Sequence, residues 1–307
     1  RLVLITIDTV TGPISTNELG ITLPHEHVFI NHKRDNWMGS NILDDPVLAE
    51  DELTKFKDLG GKTLVDQTSR GVNRNIHALK NLSERTGINI ITGTGWFKEA
   101  YYELDFPKTK VDQLSEIMVK DLTEGIDDTG IKAGIIGEIN VNARWVTPFE
   151  ERMHRAAARA QVKTGRTLAI AGTHISTAND QLDILEDEGA DLRKVIVNHI
   201  NGSLNDEFYF RVAARGSFVC MNTFPVKSED LMSRHVSMCM NMVKKGLIKQ
   251  ILISNGVSVK NHLTAYGGGG YVYVISTLRD QLIGQGMNTD DWDTIMQSNP
   301  ARCLAIE

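Results

Sequence analysis

Eight short apolar runs, each followed by a segment of helical patterning, constrain this chain more than any other feature. They cover 21–30, 63–68, 88–95, 134–139, 167–171, 195–199, 218–221 and 250–254. Such runs are apolar almost throughout, which suits strands buried on both faces in a parallel sheet covered by helices. Eight strand–helix units close that sheet into a (β/α)8 TIM barrel, a fold that routinely spans about 250 residues as one domain. Helices are predicted over 47–59, 75–86, 111–124, 148–163, 178–188, 205–214 and 228–245, with 271–286 and 290–298 closing the chain. Thr147 before Pro148 marks an N-cap followed by proline in the first turn of one of them. Residues 1–20 alternate apolar and polar and turn at Gly12-Pro13, which predicts a short N-terminal β-hairpin at the barrel bottom. No Pro- or Ser-rich linker divides the chain, so 1–307 is read as a single barrel domain.

Charge and cysteine usage narrow the partners. A net charge of −6 argues against nucleic acid as a partner. No apolar run approaches the ~18 residues of a membrane span, and no secretory leader is visible, although the chain begins at Arg1. Three cysteines, Cys220, Cys239 and Cys303, form no C-x-x-C pair and fit free thiols in a reducing cytoplasm. A small-molecule substrate is the expected partner, with neither nucleic acid nor membrane, and homodimerisation is left open.

The chemistry begins at Leu23-Pro-His-Glu-His27. A strand's period of two puts the imidazoles of His25 and His27 on one face, and two imidazoles at a strand end are half of a transition-metal site. A parallel barrel places its site at the C-terminal strand ends. There the fourth strand offers Glu138 and the sixth offers His199, completing a nitrogen- and oxygen-rich set suited to zinc. Trp96 and Phe97, with Tyr101 and Tyr102, occupy the loop after the third strand, as pocket walls or as loop packing. The polar loop after the first strand carries Trp37. Gly267–Gly270 could cradle a phosphate or serve as a closely approached loop.

Several stretches together resemble the phosphotriesterase-like family of the amidohydrolase superfamily. They are Gly12-Pro13-Ile14, Leu19-Gly20, Leu23–His27, the 134–138 run Gly-Ile-Ile-Gly-Glu, Leu182–Gly189, Gly268–Tyr271 and Asn299–Arg302. The resemblance runs nearly end to end. It implies a barrel that binds one or two divalent metals, usually zinc, and hydrolyses esters, lactones, amides or phosphotriesters. His25 and His27 match the strand-one ligands, Glu138 the bridging strand-four ligand and His199 the strand-six ligand.

Two positions depart from the family pattern. Ala171 stands where a strand-five histidine is expected, and His174 lies three residues later on the opposite parity. Gly256 stands where the strand-eight aspartate would act as ligand and general base, with Asn255 beside it. Asn201 and Asn222 replace further acids and lower the negative charge around the site. These changes predict one metal per chain rather than two, and weak turnover. The expected activity is a metal-dependent hydrolase; the alternative is a non-catalytic relative acting as a binding or regulatory protein.

Overall fold

A computed structural model describes residues 5–34, 41–103, 105–142, 144–226 and 228–306; the expectation for Trp37 falls outside them. Eight parallel strands form a nearly closed barrel in the order of the sequence: β3 (Ile21–Glu26), β6 (Gly61–Asp66), β7 (Asn89–Thr94), β8 (Ile135–Ile139), β9 (Leu168–Ala171), β10 (Val195–Asn198), β11 (Phe218–Met221) and β12 (Ile251–Ile253). Helices α1 (Pro46–Asp58), α2 (Ile76–Thr86), α3 (Val111–Thr123), α4 (Pro148–Thr164), α5 (Ile175–Asp187), α6 (Asp206–Ala214) and α7 (Glu229–Lys244) alternate with them. Past β12 the chain ends in α8 (Arg279–Gly284), α9 (Thr289–Asp293) and α10 (Asn299–Leu304). The α/β barrel expected from the apolar runs is the fold observed.

Local chemistry sets the helix starts. Thr147 caps α4 by accepting the Glu150 N–H, while Glu150 accepts the Thr147 N–H in return, and Pro148 fills the first turn. The α5 helix begins three residues earlier than its apolar pattern suggests, directly after His174. A short antiparallel pair, β4 (Ile30–Asn31) with β5 (Ile42–Leu43), ties down the loop after β3; it is too short to register as periodicity.

The predicted hairpin forms as β1 (Thr6–Thr9) and β2 (Gly12–Ser15). Ile7 from it and Leu19 join Cys303 and Leu304 of α10 in a buried cluster with the interior side chains Val65, Ile91, Ile135, Ala169, Ile196, Phe218, Cys220 and Leu252. That layer fills the barrel below the mouth. Burying an aliphatic side chain of this kind stabilises by about 1.5–3 kcal/mol, so the interior is a packed core and only its upper end is available for chemistry.

The seam between β3 and β12 closes differently from the rest. No strand ladder joins them among the described residues. Instead the Glu26 carboxylate accepts Ser254 Oγ at 2.7 Å and the Asn255 backbone N–H at 2.6 Å on one oxygen, and the Val257 N–H at 2.7 Å on the other. The His27 N–H adds a bond to the Val257 carbonyl at 3.0 Å. A buried carboxylate thus fastens the strand carrying both histidines to the last strand.

Candidate metal centre

His25, the last residue but one of β3, is fully buried, and its ring stands perpendicular to that of His27, with centroids 5.1 Å apart. His27 Nδ1 lies 2.9 Å from Thr68 Oγ1, and its carbonyl accepts the Tyr271 hydroxyl at 2.8 Å. Just past it, the Val28 N–H donates to Asp66 at 2.9 Å. Burial lowers the His25 imidazole to about 4 and holds that of His27 well below its ordinary value, so both rings are neutral and carry the lone pairs a metal requires.

Glu138 reaches the interior through a break in its strand. Ile135 faces the inner cluster and Ile136 the outer one, so strict alternation would turn Glu138 outward with Ile136. The pairing of β8 with β9 shifts register between Ile136 and Ile139, and Gly137 adopts φ +120 there. A Cβ at Gly137 would lie 2.5 Å from the Ala169 carbonyl oxygen, so only glycine fits. With the strand so turned, Glu138 Oε1 lies 3.0 Å from His199 Nε2 and 3.3 Å from Asn198 Nδ2. Burial alone would raise this carboxyl, but the facing His199 and His25 rings hold it down at about 2. His199, in turn, is raised by Glu138 against the effect of burial.

His199 enters from the end of β10 in a left-handed conformation, φ 57, and its ring centroid lies 4.8 Å from that of His25. Ligand atoms of His25, Glu138 and His199 all fall within 4.8 Å of one another. Neither nitrogen of the His25 ring makes a hydrogen bond, although the Gln67 and Asn198 amides lie close enough to influence its titration. Buried polar atoms are nearly always bonded. An orphaned imidazole beside a carboxylate and a third histidine is the donor chemistry of a zinc site, and these residues fit such an ion.

The remaining predicted residues stand elsewhere. The three-residue group includes neither His27, whose ring packs edge-on against His25, nor His174, which remains on the partly exposed loop that starts α5. Ala171 is buried, and its carbonyl accepts Gln181 Nε2 at 2.8 Å. Asn255 is engaged away from the donor group, its amide oxygen accepting the Val274 N–H at 3.0 Å and its Nδ2 lying 3.3 Å from Glu26 Oε1. Gly256 supplies no side chain. Trp96 and Phe97 are 3% and 7% exposed and have partners within their own loop. Trp96 Nε1 donates to Glu103 at 3.1 Å, and Phe97 packs against Tyr101 at 5.6 Å. A cavity of about 440 Å³ at this end is lined by Asn31, Lys33, Arg34, Gly71, Asn73 and Tyr101, without either ring. In Gly267–Gly270 the N–H groups of Gly267, Gly268 and Gly270 donate to the Thr264, Leu263 and His262 carbonyls, so these three are not turned toward an anion.

Three residues that position the site carry no signal in sequence: Glu26, Gln67 and Asn198. Gln67 donates to the Pro24 carbonyl at 2.8 Å and accepts Asn198 Nδ2 at 2.8 Å, linking β3, β6 and β10 beneath the candidate donor group. Only their place at strand ends could have drawn notice.

The phosphotriesterase family model matches residues 5–304. The chain belongs to the phosphotriesterase family. Phosphotriesterase homology protein of Escherichia coli is 29% identical over 292 residues, covering 94% of this chain and 99% of the relative. N-acetyltaurine hydrolase of Xenopus tropicalis is 28% identical over 344 residues, covering 98% of each. The crystal structure of a lactonase from Listeria monocytogenes superposes with a TM-score of 0.91 at 25% identity, covering 98% of this chain and 99% of that one. As a member of this family the chain is a hydrolase.

Proposed function

We propose that this member of the phosphotriesterase family is a metal-dependent hydrolase of a small ester, lactone or amide, with one divalent ion, zinc by donor type, on His25, His27 and Glu138 and with His199 beside it. The observation that carries this reading is the orphaned, fully buried His25 ring within 4.8 Å of Glu138 and His199 ligand atoms. The names of an amide hydrolase and a lactonase among its relatives favour an acyl carbonyl as the substrate. A zinc ion bound by such a set lowers the pKa of its water to about 7 and polarises a carbonyl oxygen.

The chain's own residues set the donor geometry and the charge around it. Glu26, between the two histidines, ties their strand to the backbone after β12, and Asp66 accepts the Val28 N–H just past His27, so the donors are held before any ligand arrives. Neutral Asn198 and Gln67 line the floor and add no competing charge. The loop after β12 presents no carboxylate to the mouth, since Asn255 is committed to Val274 and Gly256 is bare. Positioned general bases contribute typically 10²–10⁴-fold, so turnover is expected to be slow. Three buried free thiols suit a reducing cytoplasm.

The test is hydrolysis of activated esters, lactones, N-acyl amides and phosphotriesters by protein stripped of metal and reloaded with zinc. Zinc-dependent hydrolysis of a carbonyl substrate is expected. Activity that persists in metal-free protein, or is lacking on every substrate after zinc loading, contradicts the proposal.

A further inference from the structure

A histidine that binds metal through one ring nitrogen carries its proton on the other and donates it to an acceptor. For His199 the residue in that place is Asn222, which follows β11. Asn222 Oδ1 accepts the His199 backbone N–H at 2.5 Å, and Asn222 Nδ2 lies 3.2 Å from ring Nδ1. The other ring nitrogen, Nε2, lies 3.0 Å from Glu138 Oε1.

A carboxamide has a single acceptor atom, and its NH₂ group only donates. Were Nε2 to hold a metal, the ring proton would sit on Nδ1, and His199 would aim two N–H donors at residue 222. One of them would find no acceptor. Rotating the amide by half a turn only changes which donor is left facing the NH₂. Asn222 is 1% exposed, so bulk water cannot relieve the conflict. Asn201 helps hold this arrangement, its Oδ1 accepting the Asn222 N–H at 3.2 Å and its Nδ2 lying 3.4 Å from the Thr223 carbonyl.

We propose that Asn222 fixes His199 as the tautomer protonated on Nε2, making His199 a hydrogen-bond donor that positions Glu138 and not a metal ligand. With Nδ1 unprotonated, both contacts to Asn222 are satisfied, and the Nε2–H points at Glu138 Oε1. Asn198 donates to that same oxygen. An ion at the centre is then left to His25, His27 and the carboxylate. A carboxylate at position 222 would supply two acceptors, accept both donors of His199 and free Nε2 for metal. The tautomer belongs to the metal-free protein; only its consequence for zinc rests on the function proposed above.

Two measurements test this. In metal-free protein labelled with nitrogen-15 histidine at mildly alkaline pH, long-range proton–nitrogen correlation spectra should show His199 protonated on Nε2, with the assignment made by comparison with His199→Gln. Protonation on Nδ1 would overturn the proposal. Calorimetric zinc titration is then run on the natural chain, His25→Gln, His199→Gln, Asn222→Asp and the last two combined. His199→Gln should change zinc affinity little. Asn222→Asp should tighten it by about 10–100-fold, the range typical of partners behind a ligating histidine, and the gain should vanish in the double variant. If His199→Gln weakens zinc as much as His25→Gln does, or folded Asn222→Asp binds no tighter, the proposal fails. Absence of zinc binding throughout would defeat the metal-hydrolase reading instead, and the spectrum of the natural chain would still decide the tautomer.

Discussion

At Gly256 the backbone turns to φ +75, and a Cβ there would fall 1.9 Å from the Asn222 carbonyl oxygen. The family's aspartate therefore cannot simply be restored, because the neighbouring backbone occupies its place. Gly256→Asp should cost at least about 1–3 kcal/mol, the usual strain of a non-glycine residue held in a sparsely populated region. It should bring no second metal; a lower midpoint in thermal melting with unchanged zinc content would show both. Glu26 is as constrained, and no motif for chemistry points to it. Glu26→Gln replaces one acceptor oxygen with a donor facing buried N–H or O–H groups, a change that costs roughly 1–3 kcal/mol for each buried group left unsatisfied. Denaturant unfolding should show that loss. A stability equal to the natural protein's would mean the β3–β12 seam is held by something else. Sequence alone names His25, His27, Glu138 and His199 because imidazole and carboxylate chemistry is visible in residue type. It leaves Glu26 unremarked because an acid between two histidines reads as surface-facing until the seam is seen.

Among the elements, the strands and helices were legible in sequence and the loops were not. Apolar runs identify β8 and β10, but not the register shift at Gly137 that turns Glu138 inward. Period-two reasoning would have pointed that carboxylate the wrong way. The loop after β7 is similarly opaque, since aromatic residues suit either a pocket or a packed core. With Trp96 and Phe97 at 3% and 7% exposure, the double alanine variant should lose stability first. Truncating a buried Phe or Trp commonly costs about 3–5 kcal/mol. A melting midpoint close to the natural one, with altered ligand binding, would restore the pocket role. Helices α4 and α5 are tied outside the barrel by Arg155 and Arg159 on Glu188, at 3.0 and 2.7 Å. The hydrogen bond from Arg159 leads the lowering of the Glu188 carboxyl below its ordinary 4.5. A lowered carboxyl stabilises the fold above the unfolded value and loses that contribution as pH falls through the folded value. Glu188→Gln should therefore cost about 0.2–1 kcal/mol at neutral pH, and the gap should close as pH falls below 4.5. A gap independent of pH would show that packing, not charge, is responsible.

For the whole molecule, the barrel brings strands far apart in sequence to one mouth, where β3 and β8 carry His25, His27 and Glu138 and the end of β10 brings His199 against the carboxylate. The (β/α)8 architecture was legible because eight buried strands have few other closed solutions. The donor count was not fully legible, because the carboxamide behind His199 changes what that ring can do. The central claim is that one divalent ion is held by His25, His27 and Glu138. Elemental analysis of protein purified without chelator and dialysed against zinc tests it most directly, beside Glu138→Gln treated identically. One zinc per natural chain is predicted, and almost none in Glu138→Gln. Two zinc ions per natural chain, or an unchanged content in Glu138→Gln, would contradict the claim.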